Sequence, residues 1–273
     1  LRPARAAVFI DTARGDPPTL DTAWRMPTPT LTLDGPVATL TLQRPQHANR
    51  LEAEDLAALQ VHLDAVDADP GVRVLLLRAQ GRHFCSGFDI GRVGAEGVAA
   101  FERMVDRVEA ARPVTIAVLQ GGVFGGATDL ALACDFRLGA STTELAMPAA
   151  RLGLHFYRGG LERYVTRLGL DVAKRLFLTA ERIDAGAMKA IGFLTELVPA
   201  AEPDARAAAL AATIAAGAPL AVLGMKKHLN AIARGRLDAQ ALAAEIARTL
   251  ASADLQEGRA AFAEKRPPRF RGA

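Results

Sequence analysis

A strand, a double glycine turn and a helix start, run together over residues 114–135, constrain this chain more than any other stretch. Val114, Thr115, Ile116, Ala117, Val118 and Leu119 form an apolar, β-branched run that reads as a buried strand. It stops at Gly121 and Gly122. After Phe124 a second pair, Gly125 and Gly126, opens a segment with Leu130, Leu132 and Ala133 at helical spacing. Glycines let backbone approach a ligand closely, and the free N–H groups at a helix start favour negative charge. A developing oxyanion and a phosphate are both suitable guests. Asp129 falls in the first turn of that helix, where a carboxylate either complements the helix start or has chemistry of its own.

Composition narrows the class. At 273 residues the chain suits one large domain or a core with an appendage. It is 50% hydrophobic but only 5% aromatic, so the core must be aliphatic and alanine-rich. Lys+Arg 33 against Asp+Glu 30 is nearly balanced, which argues against a nucleic-acid partner. Cys85 and Cys134 make no disulfide framework and have no metal-ligand spacing, so no metal and a cytoplasmic location are expected. No apolar run approaches the roughly 18 residues of a membrane span, and no membrane association is expected.

In order, residues 1–28 read as an arm or disordered lead-in, with Pro17, Pro18, Pro27 and Pro29 blocking regular structure. Residues 31–33 and 37–42 alternate around the turn Asp34-Gly35-Pro36 and predict a β-hairpin. A loop at 44–50 leads to a helix over 51–66, with Leu56, Leu59, Leu63 and Val66 on one face, and then to a buried strand over 72–77. The loop 82–90 precedes a helix over 101–110, and the central unit follows. Strands alternating with helices at this spacing predict an α/β body with parallel pairing. A short strand is expected at 135–138. Beyond it helices are expected at 161–168, 172–179, 185–190, 205–216, 220–233, 239–251 and 255–265, with one strand at 194–198.

Four separated motifs together resemble the enoyl-CoA hydratase/isomerase, or crotonase, superfamily. They are Arg44-Pro45 with Asn49; the run from Phe84 through Gly87 and Asp89 to Ile90; Arg112-Pro113-Val114 through Gly125-Gly126 and Asp129 to Cys134-Asp135; and Glu257-Gly258 through Phe262 to Lys265-Arg266. They cover roughly residues 30–270. The resemblance implies a spiral of ββα units over residues 29–200 and a helical region over 201–273 that packs homotrimers or hexamers. It implies an acyl-CoA substrate, with coenzyme A part of the substrate and no separate cofactor. The backbone N–H groups of Phe88 and Gly126 would form an oxyanion hole for the thioester carbonyl. Contacts to substrate or CoA would come from His47, Ala48, Ser86, Asp89, Ile90 and Gly125, and from Phe262 and Lys265 of a neighbouring copy.

The match breaks at the acid–base groups. Of the two glutamates that hydratases of this family use, one falls on Asp129, a methylene shorter, and the other on Ala149, which has no proton to move. The following loop carries His155, Tyr157 and Arg158. His155 can replace the missing acid/base, Tyr157 can donate a hydrogen bond, and Arg158 can hold a substrate carboxylate bidentately. Packing and surface ion pairing are the alternative roles for all three. His83 and Cys85 read as loop packing, and Glu144 and Glu162, the latter beginning a helix with Arg163 and Arg167 nearby, as solvated charges. The expected activity is that of an enoyl-CoA hydratase/isomerase. A double-bond isomerase, decarboxylase or hydrolase of an acyl-CoA is an alternative, and so is a non-catalytic acyl-CoA-binding or interaction protein.

Overall fold

A computed structural model describes residues 27–89 and 94–273. The expected arm lies outside the described residues but for Pro27 and Thr28, and Ile90 lies outside them too.

The hairpin forms as expected from β1 (Thr30–Asp34) and β2 (Val37–Leu42), and α1 (Ala53–Ala68) follows. Then come β3 (Val74–Ala79), α2 (Ala95–Glu109), β4 (Val114–Leu119), β5 (Gly122–Phe124) and α3 (Gly126–Ala133). β6 (Phe136–Ala140), β7 (Glu144–Ala146), α4 (Arg158–Leu168), α5 (Leu170–Thr179), β8 (Arg182–Asp184), α6 (Ala185–Ala190) and β9 (Glu196–Val198) complete the body. Four helices close the chain: α7 (Pro203–Ala215), α8 (Pro219–Ala233), α9 (Ala239–Leu250) and α10 (Ala253–Glu264).

The larger sheet runs β1-β2-β3-β4-β6-β9 and is parallel from β2 onward, with Val37 opposite Val74, Val74 opposite Val114 and Ile116 opposite Phe136. Parallel sheets are covered on both faces, which is why β4 is buried at every position and apolar at all but Thr115. Successive side chains take opposite faces. Val74, Leu76, Ile116, Val118 and Leu138 meet Ala207, Ala211 and Ala215 of α7, whose small residues at i, i+4 and i+8 allow close approach. Leu75, Leu77, Ala117 and Leu119 face the other way into the main core with α1, α2 and α3. A second sheet, β5-β7-β8, stands at the C-terminal end of β4. β5 and β8, three residues each, were not expected from sequence; their partners are remote, so no local periodicity marks them. Among the described residues no single helix is long and apolar enough to cross a membrane; α7 and α8 together pass by length and composition, but turn through 108° at their junction.

Candidate functional site

The chain leaves β3 into a loop that runs beside β5. Cys85 N–H donates to Gly122 O (3.2 Å), and Phe124 N–H donates to Cys85 O (3.0 Å). Two residues on, Leu51 N–H donates to Gly87 O and Asp89 N–H to Leu51 O, both at 2.9 Å, which leaves Phe88 N–H outside the ladder. Gly87 has φ +95°, and a Cβ there would lie 2.9 Å from Phe124 O and 3.0 Å from Gly126 N. Glycine is therefore required both for the turn and for the approach of this loop to the start of α3. Gly125 gives its N–H to Ala146 O (2.9 Å), whereas Gly126, as the first residue of α3, has no helical acceptor. Among the described residues neither Phe88 N–H nor Gly126 N–H has a hydrogen-bond acceptor, and the Gly87 contact brings the two together.

Asn49 fixes this loop from behind. Its Oδ1 accepts Arg44 N–H (2.8 Å), and its Nδ2 donates to Gln80 O (2.8 Å) and His83 O (2.9 Å). Ala48 accepts Ser86 N–H (2.9 Å), and the Ser86 hydroxyl sits 3.5 Å from His47 O, so these three expected contact residues do come together. Asp89 lies 3.4 Å from Arg50. His83 accepts Gly122 N–H through Nδ1 (2.9 Å), a loop-packing role. Cys85 donates to Asn49 O (3.0 Å), and burial pushes its thiol up to about 12, so it is no thiolate near neutrality.

Asp129 projects from the first turn of α3 into full burial. Its Oδ1 accepts Arg163 Nε (2.8 Å), and its Oδ2 accepts both Arg163 Nη2 (2.7 Å) and the Tyr157 hydroxyl (2.6 Å). Arg163 belongs to α4 and is itself wholly buried; Nη1 reaches Asp106 (2.7 Å) and Glu109 (3.2 Å). Burial pulls the guanidinium pKa down, but Asp129, Asp106 and Glu109 together outweigh it and hold the group above its ordinary value. The sequence marks Arg163 only as a neighbour of Glu162, and no periodicity shows that it is buried. Gly160 makes the pairing possible, since a Cβ there would lie 2.2 Å from the Phe156 ring and 3.0 Å from Asp129 Oδ2. Burial, and then the Asp129 charge, raises the Tyr157 phenol well above its ordinary range.

Phe101 of α2, not singled out in the sequence, joins the two halves. A Cβ on Gly126 would lie 2.7 Å from its ring, and its centroid is 5.7 Å from Phe88 and 6.0 Å from Tyr157. Phe156 stacks on Tyr157 at 4.3 Å. Two expected groups do not join this cluster. His155 is exposed, with Nδ1 on Phe156 O (2.8 Å), because Phe156 and Tyr157 take the inward positions of the loop. Arg158 is 83% exposed and pairs with Glu162 one turn along α4. Ala149 is buried and brings no carboxylate. Phe262, 89% exposed, and Lys265 lie on and just after α10, on the outside of the single chain. No group of three or more His, Cys, Asp or Glu suited to a metal occurs among the described residues.

Comparison with known proteins gives a consistent result. The family model for enoyl-CoA hydratase/isomerase matches residues 33–273. Carnitinyl-CoA dehydratase of Proteus mirabilis is 33% identical over 257 residues, which are 89% of this chain and 97% of the relative. A crystal structure of an enoyl-CoA hydratase/carnithine racemase from Magnetospirillum magneticum superposes at TM-score 0.85 with 30% identity, over 91% of this chain and 97% of that one. The structure of enoyl-CoA hydratase from Bacillus anthracis gives TM-score 0.84 at 29% identity, over 90% and 100%.

Proposed function

The chain belongs to the enoyl-CoA hydratase/isomerase family and has its crotonase fold, and from that premise we propose that it is an acyl-CoA enzyme which holds a thioester enolate on Phe88 and Gly126 N–H and handles its proton at Tyr157, braced by Asp129. The observation that carries this reading is the meeting of two acceptor-less backbone N–H groups beside Gly87, with the Phe101 ring bridging to Tyr157. Preorganised donors of this kind act on charge as it develops, and losing one typically costs about 3 kcal/mol in the transition state. Coenzyme A enters as part of the substrate, with no separate cofactor. His47, Ala48, Ser86, Asp89 and Gly125 are the proposed contacts within the chain, and Phe262 and Lys265 those of a neighbouring copy in the cytoplasm.

Hydration through two free carboxylates is the reaction least supported. Ala149 supplies none, and both Asp129 oxygens are engaged. That engagement also favours a second reading, a protein that binds acyl-CoA without turnover.

The test is to follow crotonyl-CoA by loss of conjugated-thioester absorbance, and a 3-enoyl-CoA by its gain, with binding measured in parallel. Tyr157→Phe is the informative variant, since it leaves the Arg163–Asp129 pair in place. The expected result is tight thioester binding, little hydration, and a loss of roughly 10²–10⁴-fold in turnover of any accepted thioester. Robust hydration unaffected by Tyr157→Phe would overturn the proton assignment. Binding without turnover of any thioester would select the second reading.

A further inference from the structure

A cavity of about 820 Å³ opens at the N-terminal end of β4, where Arg112 stands, whereas Gly125 and Gly126 follow the C-terminal end of that strand. Its floor is the end of α2 and the approach to β4, and its walls come from α8 and α9. On α8, Leu220, Leu223, Lys227, Ala231 and Arg234 recur at helical spacing, so a single stripe of that helix lines it. None of the residues proposed to touch CoA is part of the lining.

The charges on this lining do not balance. Its four carboxylates already have cations: Asp106 has Arg163, Glu109 has Arg163, Arg167 and Arg234, Glu162 has Arg158 and Arg234, and Glu245 has Lys227. Lys226 is paired with Asp135. Among the described residues, the guanidinium groups of Arg73, Arg112, Arg236, Arg248 and Arg271 have no carboxylate partner. Two of these are fixed by backbone carbonyls. Arg73 donates to Ala215 O (2.7 Å) and Phe270 O (3.2 Å). Arg112 commits Nε and Nη2 to carbonyls at the end of α1 and leaves Nη1 without an acceptor. A carbonyl orients a guanidinium without neutralising its charge. The side chains of Arg236, Arg248 and Arg271 are exposed and have no partner among the described residues.

We propose that this cavity binds a phosphorylated small molecule of nucleotide size, at a site separate from that of the acyl-CoA. Guanidinium forks match phosphate oxygens bidentately. A ligand with a single negative charge would leave most of the five arginines unmatched, so the class is a polyanion. Arg73 and Arg112 are already held in place and lose little freedom when a ligand arrives. The volume falls within the roughly 300–1,000 Å³ of small-molecule sites and exceeds what a lone phosphate fills. Leu220, Leu223 and Ala231 give the cavity an apolar side, suited to a base or another organic part.

The full-length protein at low ionic strength should be titrated calorimetrically with ADP and with inorganic pyrophosphate. ADP is expected to bind once per chain, more tightly than pyrophosphate, and to weaken as salt is added. Arg236→Gln combined with Arg248→Gln should weaken ADP binding by about 100-fold, and Arg271→Gln alone by about 10-fold. All three side chains are exposed, so helix content and sedimentation should match the native protein. CoA itself carries an adenine nucleotide, so the titration is repeated in Lys265→Ala and with crotonyl-CoA at saturation. ADP binding in the cavity survives both. Binding that is lost to crotonyl-CoA or to Lys265→Ala, and kept in the arginine pair, would place ADP in the CoA site and overturn the proposal. Pyrophosphate bound as tightly as ADP would overturn the organic part of the ligand. Absence of binding by the native protein would overturn the site altogether, and loss of assembly in the arginine pair would then assign these arginines to a second copy.

Discussion

At Arg163 a helix delivers a full positive charge to a position without solvent contact, and the groups around it make that tolerable. Asp129 supplies a bidentate partner, and Asp106 and Glu109 take the remaining nitrogen. A buried pair of this kind adds little net stability against an apolar pair, but removing one member leaves the other uncompensated. Arg163→Leu is therefore expected to destabilise the fold by about 3–5 kcal/mol in urea unfolding, because Asp129 is left buried with the Tyr157 hydroxyl alone. Arg163→Lys should recover only part of this, since an ammonium cannot reproduce the fork. Equal stability of the leucine variant would show that Asp129 is not held as a charge. The contrast with what the sequence shows is instructive here. Arg158, Glu162, Arg163 and Arg167 look alike along one helix, and their charge alone predicts solvation. What separates Arg163 is Gly160 three residues earlier, whose missing Cβ lets α4 close on Asp129. Asp129 itself was legible as a first-turn carboxylate. The inward turn of Tyr157 and the outward turn of His155 depend on the loop path after Gly153, which no periodicity reports.

Elements, by contrast, were largely readable, because the long strands and helices carry their period in many residues. β4 and α1 appear within a few residues of expectation, whereas β5 and β8 depend on pairing with a strand distant in sequence. One side chain links two of the readable elements. Arg112, just before β4, donates Nε to Asp67 O (3.2 Å) and Nη2 to Val66 O (3.3 Å), Asp69 O and Val72 O (2.9 Å). These carbonyls come from the last turn of α1 and the connection into β3, where helical acceptors have no partner of their own. Arg112→Ala is expected to cost about 2–3 kcal/mol, from charged hydrogen bonds lost and carbonyls left open. Hydrogen exchange should speed up first in the last turn of α1. A uniform loss of protection throughout the chain would mean that Arg112 supports the fold as a whole and not this junction.

The whole molecule has a surface that the described residues do not cover. On α8, Met225, Leu229 and Ile232 follow each other at i, i+4 and i+7 and are 59%, 64% and 54% exposed. Ile246 and Leu250 of α9 and Phe262 of α10 are exposed as well. Contiguous apolar surface of this kind marks an interaction face, and the family membership makes a second copy of this chain the expected partner. Sedimentation of the native protein should then show a trimer or a dimer of trimers. Leu229→Glu combined with Ile232→Glu should give a smaller species with unchanged helix content, because both positions lie on the outer face of α8. The same pair of substitutions separates assembly from catalysis. If Phe262 and Lys265 serve the CoA of a neighbouring copy, dissociation must raise KM for acyl-CoA while the enolate-forming site of each chain stays intact, so kcat at saturation changes little. A monomer that binds acyl-CoA as tightly as the native protein would remove α10 from the substrate site and leave the apolar face of α8 without a role in CoA binding.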